Sequence, residues 1–107
     1  MYTTRISVPD SARAGEVIEV KTLIAHPMES GFRRDALGEV IPRNILRSFV
    51  CRYDGREVFR AEFFPAMAAN PFLAFHVRAT SSGTLEFEWQ DQDGSLTQAS
   101  ARLTVEP

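Results

Sequence analysis

One thiol, two imidazoles and a pair of closely spaced glutamates are the side chains with which this chain could do chemistry. Cys51 is the only cysteine, which rules out an internal disulfide. It stands between Phe49 and Tyr53 in an apolar run, where a cysteine behaves as a small hydrophobe. A reactive thiolate wants a partly exposed, electropositive setting, so Cys51 is expected to be buried and inert. His26, Met28 and Met67 have the softness that suits copper(I), but His26-Pro27-Met28-Glu29 at a strand end reads more simply as a turn. Two histidines cannot furnish a histidine-rich iron centre. Glu86 and Glu88 share one face of a strand, which points to solvated carboxylates opposite Arg102 or Arg78 rather than to a general acid and base. No glycine-rich turn precedes a helix, so nucleotide phosphates have no cradle. The sequence carries no catalytic apparatus and implies neither metal nor cofactor.

The elements around these residues read as strands. Residues 5–8 form a short run ended by Pro9, and Ala14-Gly15-Glu16 turns the chain into residues 17–25. There Ile18, Val20 and Ile24 point one way and Glu19 and Lys21 the other, the period-2 pattern of a strand with one face on a core. Pro27 ends it, because proline donates nothing to a ladder. Residues 45–53 and 56–63 flank Asp54-Gly55, a dipeptide suited to a two-residue type I′ hairpin turn. In the first of these strands Phe49, Cys51 and Tyr53 share a face, yet Leu46 and Val50 stand on the other. A strand apolar on both sides is either buried twice or lies under a partner. Alternation is cleanest in residues 73–79, 85–89 and 99–105, separated by Ser81-Ser82-Gly83 and by residues 91–94. Seven strands in 107 residues predict one domain, residues 1–107, an all-β immunoglobulin-like antiparallel β-sandwich.

Composition narrows the partners. Net charge is −2, with a single lysine, Lys21, and the arginines scattered among fourteen acidic groups, so the dense basic patch of a nucleic-acid binder is missing. No apolar run approaches the ~18 residues of a membrane span. Residues 1–10 lack the basic region and apolar core of a secretory signal, which by itself reads as cytoplasmic. Two connections stand out. Residues 28–44 have no sustained period and are rich in arginine, and residues 63–72, with Pro65 and Pro71, carry no charge at all. Interfaces favour aromatics, Met and Arg over Lys, so both connections are expected to bind a partner protein rather than merely plug the ends of the sandwich.

At these connections the sequence resembles a known family. Residues 24–33 (Ile-Ala-His-Pro-Met-Glu-Ser-Gly-Phe-Arg), Ile41-Pro42-Arg43-Asn44 and Ala68-Ala69-Asn70-Pro71-Phe72 are similar to SoxZ, the smaller subunit of the SoxYZ sulfur carrier. Gly83-Thr84-Leu85-Glu86-Phe87-Glu88-Trp89 and Asp93-Gly94 continue the likeness over nearly the whole chain. The resemblance implies an immunoglobulin-like sandwich paired with SoxY as a heterodimer. SoxY's C-terminal glycine-flanked cysteine arm carries thiosulfate-derived sulfur between the Sox enzymes that dock on the complex. It implies a non-catalytic role, since this sequence has no such arm and Cys51 lies inside a strand. It also implies the periplasm, reached by export together with signal-bearing SoxY. On this reading Met28, Phe32, Phe64, Met67 and Phe72 are expected to make apolar contacts with SoxY. Arg33, Arg43, Asn44 and Asn70 are expected to make polar ones near the anionic sulfur adduct. Without SoxY, such a surface is expected to pair with itself as a homodimer. The alternative is a copper-binding or adhesive periplasmic domain acting alone.

Overall fold

The structure is a computed structural model and describes residues 2–64 and 69–107. Among these, eight strands form two packed sheets: β1 (Thr4–Ser7), β2 (Ser11–Arg13), β3 (Val17–Ile24), β4 (Leu46–Tyr53), β5 (Arg56–Glu62), β6 (Phe72–Arg78), β7 (Gly83–Asp91) and β8 (Leu96–Glu106). One sheet has the order β1-β3-β6 and the other β2-β8-β7-β4-β5. The all-β immunoglobulin-like sandwich expected from the alternation is therefore the observed fold. The strand missed by the sequence reading is β2. It has only three residues, too few to display a period, and it pairs parallel to β8 through Ser11↔Thr104, Ala12↔Val105 and Arg13↔Glu106. The other strand pairs are antiparallel.

Alternation becomes burial in β3 and β7. Ile18, Val20 and Ile24 of β3 face inward, as do Leu85, Phe87 and Trp89 of β7. The aromatic centre joins the sheets: Phe49 of β4 touches Phe75 of β6 at 5.7 Å between ring centroids and Trp89 of β7 at 5.0 Å. Cys51 lies beside Phe49 in this core with no exposed surface. Burial pushes its thiol up to about 12, which keeps the sulfur protonated and unreactive. The hairpin turn is the one expected, with positive φ at both Asp54 (49°) and Gly55 (82°), as a type I′ turn requires.

The two apolar faces of β4 have a different explanation from a covering partner. A register shift between Leu46 and Ser48 turns Leu46 into the core. Val50 remains outward but is buried, flanked in register by Arg60 on β5 and Glu88 on β7. Long charged side chains can cover apolar surface with their stems. The rest of that outer face is polar: Arg52 Nη1 lies 3.4 Å from Glu88 Oε2, and Gln98 Nε2 donates to the same oxygen. Arg52, on the adjacent strand, is thus the partner of Glu88, in place of the expected Arg102 or Arg78.

The molecule is long. Its extents are 60 × 19 × 19 Å and its radius of gyration is 16.2 Å, against about 13 Å for a compact chain of this size. The longest strand, β8, accounts for about 37 Å at the usual rise. The remainder comes from what one end of the sandwich carries.

Candidate functional site

β3, β5 and β7 all leave the sandwich at the end where β4, β6 and β8 begin, so residues 25–45, 63–64, 69–71 and 92–95 share that end with the N-terminal segment at Tyr2. Backbone hydrogen bonds tie them together. Gln92 N–H donates to Ile45 O at 2.8 Å, Asn70 N–H to His26 O at 2.7 Å, Ala25 N–H to Thr3 O at 2.8 Å and Phe63 N–H to Arg47 O at 2.9 Å. Two connections far apart in sequence, both expected to bind a partner, thus converge on one surface.

The first of them is not an irregular loop. Glu29 and Asn44 exchange N–H···O bonds at 2.9 and 2.8 Å, Ile41 N–H donates to Arg33 O at 2.9 Å, and Asp35 N–H donates to Glu39 O at 2.8 Å. These make a narrow two-stranded arm with its tip at residues 35–39. The Asp35 carboxylate closes the tip by accepting from Leu37 N–H and Glu39 N–H at 2.9 and 3.0 Å. Arginine and glycine obscured this ribbon in the sequence, because an arm with no core beneath either face has no reason to alternate. Gly31 packs against Arg43 on the other side: its φ is 89° and a Cβ there would stand 3.2 Å from Arg43 Cβ. Along the arm Phe32 is 89% exposed and Leu37 87% exposed. Val40 is half exposed. An isolated two-stranded ribbon is marginally stable in water, and apolar side chains so exposed gain nothing from the sandwich.

The expected contact residues divide into three groups. Phe32, Phe64 and Phe72 are exposed, with Phe72 on the outer face of the three-stranded sheet opposite Leu23. There a hollow of about 500 Å³ opens between Arg5, Lys21, Leu23 and Phe72. Arg33, Arg43, Asn44 and Asn70 are at this end but already engaged. Arg33 forms a two-point ion pair with Glu29, its Nε donating to Oε2 at 3.1 Å, and this holds the Glu29 carboxyl below its ordinary range. Arg43 Nε donates to Gln92 Oε1 at 3.2 Å, and Asn44 Nδ2 to Asp93 Oδ2 at 3.4 Å. Met28 is a correction. It is buried, and its Sδ accepts the Leu46 N–H at 3.3 Å, so it anchors the root of the arm from within and offers no surface. Met67 lies outside the described residues.

Beneath the arm is a polar cluster that sequence reasoning missed. His26 has no exposed surface; its Nδ1 accepts the Met28 N–H at 2.9 Å, and its Nε2 stands 3.5 Å from Asp91 Oδ2. The Tyr2 ring packs on it with centroids 4.5 Å apart. Burial, together with the negative charge of Asp91, raises the Tyr2 phenol above its ordinary value. Asp93 is held below the usual carboxylate range by its neighbour Asp91 and by the Ser95 N–H that donates to its Oδ1 at 2.8 Å. With Nδ1 of His26 and Sδ of Met28 each receiving an N–H, the donor set does not suit copper(I). Among the described residues, no group of three or more His, Cys, Asp or Glu is placed to hold a metal ion. His76, on the outer face of β6 opposite Glu19, is remote from this cluster.

The model of the sulphur oxidation protein SoxZ matches residues 6–102. The chain belongs to the SoxZ family. Membership places it in the Sox sulfur-oxidation system, as the sequence resemblance implied. No curated protein matches this SoxZ-family chain by sequence. Among solved structures it is similar to superoxide reductase (neelaredoxin) from Ignicoccus hospitalis, at 20% identity and a TM-score of 0.74, over 97% of this chain and 80% of that one. It is similar to the sulfur carrier protein SoxY from Chlorobium limicola f thiosulfatophilum, at 16% identity and a TM-score of 0.69, over 97% of this chain and 79% of that one. A putative superoxide reductase from Thermotoga maritima aligns at 19% identity with a TM-score of 0.75, over 97% and 86% of the two chains. Identities this low establish a shared fold and carry no activity across.

Proposed function

We propose that this chain is the non-catalytic half of a heterodimeric sulfur carrier, holding SoxY while SoxY's cysteine arm presents thiosulfate-derived sulfur to the Sox enzymes. The observation that carries this reading is the projecting arm, with Phe32 and Leu37 almost fully exposed and Phe64 and Phe72 exposed at the same end of the sandwich. Apolar side chains on a ribbon with no core of its own have a physical reason to be there if another protein closes over them. A stable pair buries about 1,600 Å² in total, and an arm with an adjoining sheet face can supply one side of such an area. Cys51 takes no sulfur, because it is sealed in the core as a protonated thiol. The polar contacts at the rim come from residues 33, 43, 44 and 70, whose geometry is set by partners within this chain.

The reading includes the periplasm, with export in complex with SoxY, and a surface on the assembled pair that Sox enzymes recognise. In isolation the exposed arm favours self-association. The test is co-expression with SoxY, affinity capture, and intact-mass measurement after thiosulfate exposure. A 1:1 complex that gains sulfur mass only on SoxY is expected, and Phe32→Asp combined with Phe72→Asp is expected to abolish capture. Unchanged capture by the double variant, or an adduct on Cys51, would overturn the reading.

A further inference from the structure

Three non-glycine residues among those described have left-handed backbone: Met28 (φ 52°), Asp54 (49°) and Asn70 (54°). Asp54 belongs to the β4–β5 turn. Met28 stands at the root of the arm and Asn70 just before β6, and both direct their N–H groups at one residue. The Met28 N–H donates to His26 Nδ1 at 2.9 Å, and the Asn70 N–H donates to the His26 carbonyl at 2.7 Å. Backbone in this region persists for such residues only where the surroundings hold it. His26 is therefore in direct contact with the strained point of each connection.

His26 is itself held from two further elements. Tyr2 of the N-terminal segment covers its ring, and Asp91, the last residue of β7, faces its Nε2 at 3.5 Å. Neither Nε2 nor Asp91 Oδ2 has a conventional hydrogen-bond partner among the described residues. Their approach at 3.5 Å gives the two atoms a polar pairing with each other. Asp91 is oriented by the β7–β8 turn, its Oδ1 accepting from Ser95 N–H at 2.9 Å. Because Nδ1 accepts a hydrogen bond, the ring proton of the neutral imidazole is on Nε2, facing the carboxylate. A small rigid ring with an acceptor on one side and a donor on the other links the arm root to β7. The carbonyl of the same residue takes the third connection.

We infer that His26 is a positioning residue that locks the arm and the segment leading into β6 into one prearranged surface for the partner protein. The inference rests on the reading that this end binds SoxY. Its physical content is preorganisation: loops ordered before association do not have to be ordered by it. The charged and titratable groups around the imidazole are Tyr2, Asp91 and Asp93. The lock depends on Nδ1 serving as the acceptor for the Met28 N–H.

The test compares the full chain with His26→Asn, His26→Gln and His26→Phe by hydrogen exchange at the Met28, Asn44 and Asn70 amides and by affinity for SoxY. Asn places an acceptor where Nδ1 was, whereas Gln reaches toward Asp91 without supplying one. His26→Asn is expected to keep protection at Met28 and most of the affinity. His26→Gln and His26→Phe are expected to expose all three amides and weaken SoxY binding about tenfold, the scale of one lost buried hydrogen bond. The Leu85 amide in the core should stay protected in each. Equal affinity and equal Asn70 protection across the variants would overturn the inference, as would a uniform loss at Leu85. If the amides respond but no form binds SoxY, the lock stands and the partner reading falls.

Discussion

The rings of Phe59 and Phe75 lie parallel, 4.2 Å apart and inclined by only 4°. Phe59 is on β5 and Phe75 on β6, so this stack joins the two sheets along the side where each presents an edge strand. Few other contacts bridge β5 and β6, and the pair is what closes the sandwich there.

Removing the inner ring of that stack should be costly. Phe75 is nearly fully buried and also touches Phe49, so Phe75→Ala is expected to lose about 3–5 kcal/mol of stability, the usual range for such a truncation. Phe59→Ala, at a half-buried position, is expected to lose less. Urea denaturation followed by Trp89 fluorescence measures both, and a larger loss for Phe59 would contradict the assignment of Phe75 as the inner ring.

Cys51 should resist modification. Its thiol is raised to about 12 by burial, against about 8.5 for a free cysteine. A raised value means the folded state favours the protonated thiol. The associated stability is present in full below about 8.5 and declines as pH rises from there toward the folded value. Iodoacetamide at pH 8 is therefore expected to label Cys51 only in denaturant, as read by intact mass.

The Glu29–Arg33 pair should make the arm acid-sensitive. Arg33 holds Glu29 below its ordinary value, and a depressed carboxylate contributes order above its unfolded pKa of about 4.3 that is lost as pH falls through the folded value. Exchange at the Asn44 amide is expected to accelerate on acidification. Glu29→Gln should remove that acid dependence while leaving the core amides unaffected.

Gly31→Ala separates the arm from the sandwich. The position combines a φ of 89° with a Cβ site 3.2 Å from Arg43 Cβ. Non-glycine residues pay roughly 1 kcal/mol or more for left-handed backbone. We expect weaker SoxY capture with the thermal midpoint of the sandwich little changed. A large fall in the midpoint would mean that the arm is part of the cooperative core.

Much of this protein was legible in the sequence because the relevant physics is local. Alternation in residues 17–25 and 85–89 became strands β3 and β7 with the expected faces inward, and Asp54-Gly55 became the expected turn. The placement of Cys51 in the core followed from its neighbours in the same strand. Phe32, Phe64 and Phe72 were identified by type and by the oddity of their segments, and all three are exposed at one end.

What only the tertiary structure decided depends on residues distant along the chain. Residues 29–44 make an arm because their two sides pair with each other, and a ribbon without a core leaves no period to read. A register shift of one strand against its neighbour sent Leu46 inward, which no count of alternating positions in β4 alone can show. Met28 was removed from the surface, and His26 gained its role, because Tyr2, Leu46, Asn70 and Asp91 converge on them from four separate segments. Burial and the geometry of polar contacts belong to the packed whole, and a one-dimensional pattern specifies them only where the contacting residues are also neighbours in sequence.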